Sequence, residues 1–240
     1  MRYGIIADIH GNLEALEAVL GVLDARGVET YLSTGDIVGY GADPKACLDR
    51  IRELGTLVTA GNHDWAVSNR LSLDYFNAYA REAIYWTQER LSEDDIRYLD
   101  ELPLTRRVED ITLVHGTLYS PENFDYLLTS YDAHLSFQIQ QTPLCLVGHS
   151  HVPITFLLDG TVTFTLENEI DLTGIDRAIV NPGSVGQPRD ENPKAAVGIY
   201  DSETRKFTIE RVEYDIEGAT SKILRAGLPE VLAERLWHGR

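Results

Sequence analysis

The chain has 240 residues, 43% of them hydrophobic and 25% charged, enough for one sizeable core without a disulfide or structural metal to hold it. Its net charge of −17 excludes broad non-specific binding to DNA or RNA, which depends on Lys and Arg neutralising phosphates. Cys47 and Cys145 are too few for a disulfide framework, the apolar run before Asp8 is too short for a signal peptide, and nothing approaches the roughly 18 apolar residues of a membrane span, so a cytoplasmic protein is expected.

Residues 2–7 are a short apolar run with β-branched character and read as a strand. Asn12 can then cap a helix whose apolar positions Leu13, Leu16, Val19, Leu20 and Leu23 follow a helical period. Residues 31–34 read as a second strand, 44–54 as a helix and 56–60 as a third strand. This alternation predicts neighbouring parallel strands with helices against the sheet.

The pattern is helical from 65 to 103, which predicts a helical insertion between two sheet-forming parts of one domain, 1–240. Within it, Ser92-Glu93-Asp94-Asp95 reads as a helix start, with Ser92 as cap and the acids in the first turn, rather than as a metal cluster. Strands are expected at 105–108, 111–114, 144–147, 154–158, 161–166, 178–180, 195–200 and 206–214, with Asp159-Gly160 as a hairpin turn. The chain ends in helix, with Leu228, Val231, Leu232 and Leu236 on the packed face.

Five segments carry chemistry: Asp8-Ile9-His10, Gly35-Asp36-Ile37-Val38-Gly39, Gly61-Asn62-His63-Asp64, His115-Gly116 and Gly148-His149-Ser150-His151. Each places a metal-competent side chain directly after an apolar run, at the strand edge where open α/β sheets bind ligands. Five of the seven histidines fall within them. Each segment alone reads equally as a cap, a turn or a core histidine; the combination in chain order points to metal. Strand alternation is expected to send Asp8 and His10 to one side, and His149 and His151 likewise. No phosphate-binding loop, nucleophile elbow or zinc-protease helix motif is present.

The order of these motifs resembles the calcineurin-like metallophosphoesterase superfamily, from Asp8 to His151, and Asn181-Pro182-Gly183-Ser184 with Gln187-Pro188-Arg189 extends the match. The text from Gly35 to Gly41 is similar to its small bacterial and archaeal phosphodiesterase branch. Protein Ser/Thr phosphatases of the superfamily carry an Asp-Arg pair where Gly39 and Tyr40 stand here.

The resemblance implies an α/β fold: a four-layer sandwich of two mixed sheets flanked by helices, with the metals at one end. It implies one metal held by Asp8, His10, Asp36 and His151 and another by Asp36, Asn62, His115 and His149, with Asp36 bridging. A water between the two ions is then the expected nucleophile, because two cations lower its pKa and offset developing charge. His63 is assigned to transition-state stabilisation and protonation of the leaving group, with Asp64 orienting its ring. Ser184 and Arg189 are expected near substrate, and Tyr40 and Tyr119 either line the pocket or pack.

Nitrogen and oxygen donors suit Mn²⁺, Fe, Zn²⁺, Co²⁺ or Ni²⁺, with Mn²⁺ favoured by the resemblance. The expected partner is a small phosphate-ester substrate, drawn by a local positive centre against the negative global field, with no membrane partner. The reaction expected is phosphodiester hydrolysis. The rivals are a phosphomonoesterase, phosphoprotein phosphatases included, and a non-catalytic protein-binding scaffold of the same fold, against which the complete ligand set argues.

Overall fold

A computed structural model describes residues 1–240 as two stacked sheets between layers of helix. In chain order the elements are β1 (Arg2–Ile6), α1 (Leu13–Ala25), β2 (Thr30–Ser33), α2 (Pro44–Glu53), β3 (Leu57–Val58) and α3 (Asn62–Val67). Then come α4 (Ala78–Gln88), α5 (Glu93–Asp100), β4 (Thr105–Val108), β5 (Ile111–Val114), α6 (Ser130–Ile139) and β6 (Leu144–Leu146). The last stretch holds β7 (Ile154–Asp159), β8 (Thr161–Thr165), β9 (Glu169–Asp171), β10 (Arg177–Asn181), β11 (Ala195–Asp201), β12 (Lys206–Val212), α7 (Ile216–Arg225) and α8 (Glu230–His238).

The first sheet has the order β3-β2-β1-β11-β12-β9 and the second β4-β5-β6-β10-β7-β8. Both are mixed: β1, β2 and β3 run parallel, as do β5, β6 and β10, while the remaining pairs are antiparallel. Alternation along β1 explains the layering. Tyr3 and Ile5 face the second sheet among Leu32, Leu113, Leu146 and Val180, while Ile6 joins the core shared with the helices. The helical insertion, α1, α2, α7 and α8 cover the first sheet, and α6 covers the second.

Local signals acted as their chemistry requires. The Asn12 side chain accepts from the N–H of Ala15, and Ser92 with Asp95 forms a reciprocal capping box. Asp94 and Asp95 also pair with Arg52 of α2, which ties the insertion to the sheet-forming part. Both cysteines are buried and free.

Two expectations need correction. The C-terminal helix is two helices, because Gly227 takes φ 72° and Pro229 cannot donate to a continuing helix, so Leu228 sits buried in the break. Edge strand β9 was not expected; three residues are too few to show a period. No helix is long and apolar enough to cross a membrane.

Candidate metal centre

The parallel strands set the geometry of the site. The segments that follow β1, β2, β3, β5 and β6 leave at the same end of the sandwich and deliver Asp8 and His10, Asp36, Asn62, His115, and His149 and His151. The loops after β1 and β2 are sewn together: the N–H groups of Asp8, His10 and Gly11 donate to the carbonyls of Gly35, Asp36 and Ile37 at 3.1, 2.9 and 2.9 Å.

Strand alternation is not what aims the paired ligands. Asp8 and His10 have φ 54° and 49°, Asp36 has 54°, and His149 and His151 have 67° and 60°. All five are left-handed, a conformation costing about 1–3 kcal/mol at a non-glycine residue and tolerated where surrounding bonds over-determine it. Those bonds are visible here. The Asp8 carbonyl accepts from Ser184 Oγ at 2.8 Å and from the Gly186 N–H at 2.9 Å, and its carboxylate accepts the His149 N–H at 3.1 Å.

The donors form two interlocking sets. Asp8, His10, Asp36 and His151 converge, as do Asp36, His115 and His149, with every ligand atom in a set within 4.8 Å of the others. Asn62 joins the second set, its Oδ1 lying 3.1 Å from His115 Nε2. Asp36 Oδ2 stands 3.5 Å from His10 Nε2 and 3.3 Å from His115 Nε2, between the two sets. The approach is close enough that a methyl group on Gly61 would overlap Asp36 Oδ1.

The chemistry of this donor set fits cations. Three rings face their Nδ1 to main-chain carbonyls: His10 to Val38 at 3.2 Å, His115 to Thr34 at 2.8 Å and His151 to Gln187 at 2.6 Å. In the neutral rings of His10 and His151 that fixes the tautomer and turns the Nε2 lone pairs inward. His10 Nε2 then lies 3.1 Å from His151 Nε2, and His115 Nε2 lies 3.1 Å from His149 Nδ1. The facing lone pairs of His10 and His151 repel in a buried site unless a positive charge lies between them.

Electrostatics agree. Burial holds His10, His149 and His151 well below the usual histidine range, so they are neutral donors needing no deprotonation. Burial pushes Asp8 up to about 7 and would raise Asp36 too, but His115 and His63 hold Asp36 well below the carboxylate range. Burial would likewise lower His115, yet Asp36 and Asp8 raise it to about 9. The buried charges thus stand in an arrangement that divalent cations would balance.

The centre opens into a cavity of about 450 Å³. Asp36, Asn62, His149 and His151 form its floor, with His63, Tyr40 and Arg189 beside them. The helical segment 65–103 contributes Leu71, Tyr75, Phe76, Asn77 and Ala80 to the cavity wall. The loop after β5 adds the segment 122–126, in which Tyr126 stacks on His149 with ring centroids 4.1 Å apart. Sequence reading missed Tyr126 and Phe76; loop aromatics carry no periodic signal that would single them out.

His63 lines this cavity with its ring held between Tyr40 and Phe76, at centroid distances of 4.4 and 5.1 Å. Its Nδ1 is buried without a partner against Gly39, which takes φ 90° and has no side chain to crowd it, leaving Nε2 for the cavity. Burial lowers the His63 pKa to about 4, so the resting ring is neutral.

Three expected roles are corrected. Asp64 does not orient His63: consecutive residues in the first turn of α3 point apart. Its carboxylate instead accepts the N–H groups of Asp36, Ile37, Gly61 and Val38 at 2.8, 2.9, 3.0 and 3.4 Å, holding the ligand loop. Ser184 is fully buried, and its hydroxyl bridges the Asp8 carbonyl and the Gln187 N–H at 2.8 Å each, so it does not reach substrate. Tyr119 is exposed and outside the cavity. Arg189 and Tyr40 do line it. His134 and His238 lie on the exposed faces of α6 and α8, away from the site.

Comparison with known proteins places this geometry. Residues 1–205 match the model of the calcineurin-like phosphoesterase superfamily domain. The uncharacterized protein MJ0912 of Methanocaldococcus jannaschii is 42% identical, covering 98% of this chain and 97% of its own. Phosphodiesterase YfcE of Escherichia coli is 25% identical, over 85% of this chain and 89% of its own. Among solved structures, a metallophosphoesterase from Sphaerobacter thermophilus is 43% identical with a TM-score of 0.90, covering 100% and 99% of the two chains. Protein PH1004 of Pyrococcus horikoshii, 23% identical, shares the fold with a TM-score of 0.82 over 100% and 98% of the chains. The chain belongs to the calcineurin-like phosphoesterase superfamily.

Proposed function

We propose that the protein is a dinuclear metal-dependent phosphoesterase that hydrolyses phosphodiesters. The observation that carries this reading is the pair of donor sets sharing Asp36 on the floor of an open cavity. Asp8, His10, Asp36 and His151 would hold one cation, and Asp36, Asn62, His115 and His149 the other. Bound there, divalent ions supply Lewis acidity at the phosphoryl oxygens and a nucleophile at neutral pH.

The chain's own residues do the rest. Arg189 draws an anionic ester toward the floor against a global charge of −17. His63 faces the leaving oxygen and stabilises or protonates it; the negative charge of a bound phosphate raises the pKa of its ring. Phe76 and Tyr40 fix the ring's direction, and the aromatic walls limit water around the ester. Diester over monoester is favoured by the carboxylates of Glu122 and Asp125 in the cavity lining, which disfavour a second negative charge on the phosphate. The kinship with a phosphodiesterase supports the same choice.

Mn²⁺ is the proposed activating ion on the family resemblance, among the Mn²⁺, Fe, Zn²⁺, Co²⁺ and Ni²⁺ that the mixed nitrogen and oxygen donors suit. The test is to strip the metal, then assay bis-p-nitrophenyl phosphate and p-nitrophenyl phosphate with Mn²⁺, Ni²⁺, Zn²⁺ or Mg²⁺ restored. Metal-dependent turnover favouring the diester is expected. Preference for the monoester would replace phosphodiesterase by phosphatase, and absence of metal binding would remove the whole reading.

A further inference from the structure

The four histidines of the two donor sets are not held alike. His10, His115 and His151 each turn Nδ1 to a main-chain carbonyl, of Val38, Thr34 and Gln187 respectively. A bond of that kind fixes the direction of a ligating ring. His149 lacks one. Its Nδ1 is the atom that faces the donor set, 3.1 Å from His115 Nε2, and its Nε2 has no hydrogen-bond partner in the chain. Only its main-chain N–H is tied, to the Asp8 carboxylate, which leaves the ring free to turn.

Tyr126 is what restrains that ring. The two rings lie 4.1 Å apart between centroids and 16° from parallel, the closest and most nearly parallel aromatic pair in the protein. Stacking of this kind prescribes the plane of a ring, as a hydrogen bond prescribes its direction. Burial alone does not explain the placement, because 49% of the Tyr126 surface stays exposed.

The loop after β5 carries Tyr126 there. Phe124 takes φ 53° and buries its ring edge-on against both Trp65 of α3 and His115, at centroid distances of 5.6 and 5.9 Å. The main chain of the loop lies against Gly116, where a methyl group would overlap the Asp125 carbonyl oxygen. This anchor sets Tyr126, two residues on, over His149. One loop therefore brings an aromatic ring to each imidazole of the second set, and through Trp65 it packs on the helix that begins at Asn62. The rings beside His10 and His151 come from elsewhere in the chain.

We propose that Tyr126 is a positioning residue for the second cation: by stacking on His149 it aims Nδ1, as main-chain carbonyls aim the other three imidazoles. The proposal rests on the reading of the two donor sets as a cation pair. Its effect is selective, since no histidine among Asp8, His10, Asp36 and His151 is held in this way. The phenol hydroxyl makes no hydrogen bond, so the ring alone carries the role.

The test is a calorimetric titration of the metal-stripped protein with Mn²⁺ alone, joined to electron paramagnetic resonance, which separates a coupled ion pair from a single ion. Tyr126→Leu should weaken the second ion about 10–100-fold and leave the first unchanged. Tyr126→Phe should bind both ions as the unaltered protein does, and the three metal-free proteins should melt together. Two ions held by Tyr126→Leu as tightly as before would overturn the proposal, and so would a Tyr126→Phe protein equally impaired. A Tyr126→Leu protein that melts lower and loses both ions alike would make Tyr126 a stabiliser of its loop instead. Absence of Mn²⁺ binding by the unaltered protein would remove the dinuclear reading itself, an outcome distinct from an ion pair indifferent to Tyr126→Leu.

Discussion

The Oδ1 of Asp36 accepts the main-chain N–H of His63 at 2.8 Å, while Oδ2 of the same carboxylate faces the histidine nitrogens of both donor sets. The residue shared by the two sets and the residue proposed to act on the leaving group are therefore one mechanical unit. Asp64 completes it by holding Asp36 and Ile37 through their N–H groups.

Asp36→Asn separates charge from shape. The amide oxygen can still accept from His63, so the fold should survive, but a neutral oxygen cannot serve two cations. Metal content measured by mass spectrometry should fall from two ions toward one or none, and kcat should drop on the order of 10²–10³-fold. Retention of both ions with full activity would remove Asp36 from the bridging position.

His63→Ala should keep both ions, since its ring belongs to neither donor set. The expected loss in kcat is about 10²–10⁴-fold for an alkoxide leaving group and smaller for p-nitrophenolate, which departs without a proton. Equal losses for the two leaving groups would mean that His63 acts by holding Tyr40 and Phe76 rather than at the leaving oxygen.

Gly61→Ala tests the close approach beneath Asp36. The main chain there has φ −91°, which alanine adopts freely, so any cost comes from overlap with the Oδ1 and main-chain nitrogen of Asp36. Overpacking of this kind costs about 1–3 kcal/mol. A lower melting temperature together with weaker metal binding is expected, and an unchanged protein would show that the loop yields without moving the carboxylate.

Ser184→Ala distinguishes a scaffold hydroxyl from a substrate contact. Losing the bridge between the Asp8 carbonyl and the Gln187 N–H should destabilise the protein by about 1–3 kcal/mol in a denaturant titration. KM for a diester should stay within about twofold, because binding energy of that contact was never available to substrate. A several-fold rise in KM at unchanged stability would return Ser184 to the pocket.

Much of this was legible in the chain itself. The βαβαβ opening, the caps at Asn12 and Ser92, and strands 105–108 and 111–114 are local, set by period and hydrogen-bonding chemistry within a few residues. The ligands were legible as well, because five segments with ordinary structural uses one by one all place a carboxylate, amide or imidazole directly after an apolar run, and the family resemblance fixed how they divide between two sets. Roles that depend on direction were not legible. Asp64 and Ser184 are polar residues beside ligands, and only the folded backbone shows that each spends its oxygens on main-chain groups. Left-handed φ at Asp8, His10, Asp36, His149 and His151 was hidden for the same reason: the sequence names the side chain, while the bonds that hold it in a strained conformation come from loops far away in the chain. The sequence by itself determined the layers and the donor atoms, through periodicity and ligand chemistry. Only the tertiary structure decided which loops wall the cavity, bringing Phe76 against His63 and Tyr126 against His149, because such proximity is made by packing and leaves no trace in local pattern.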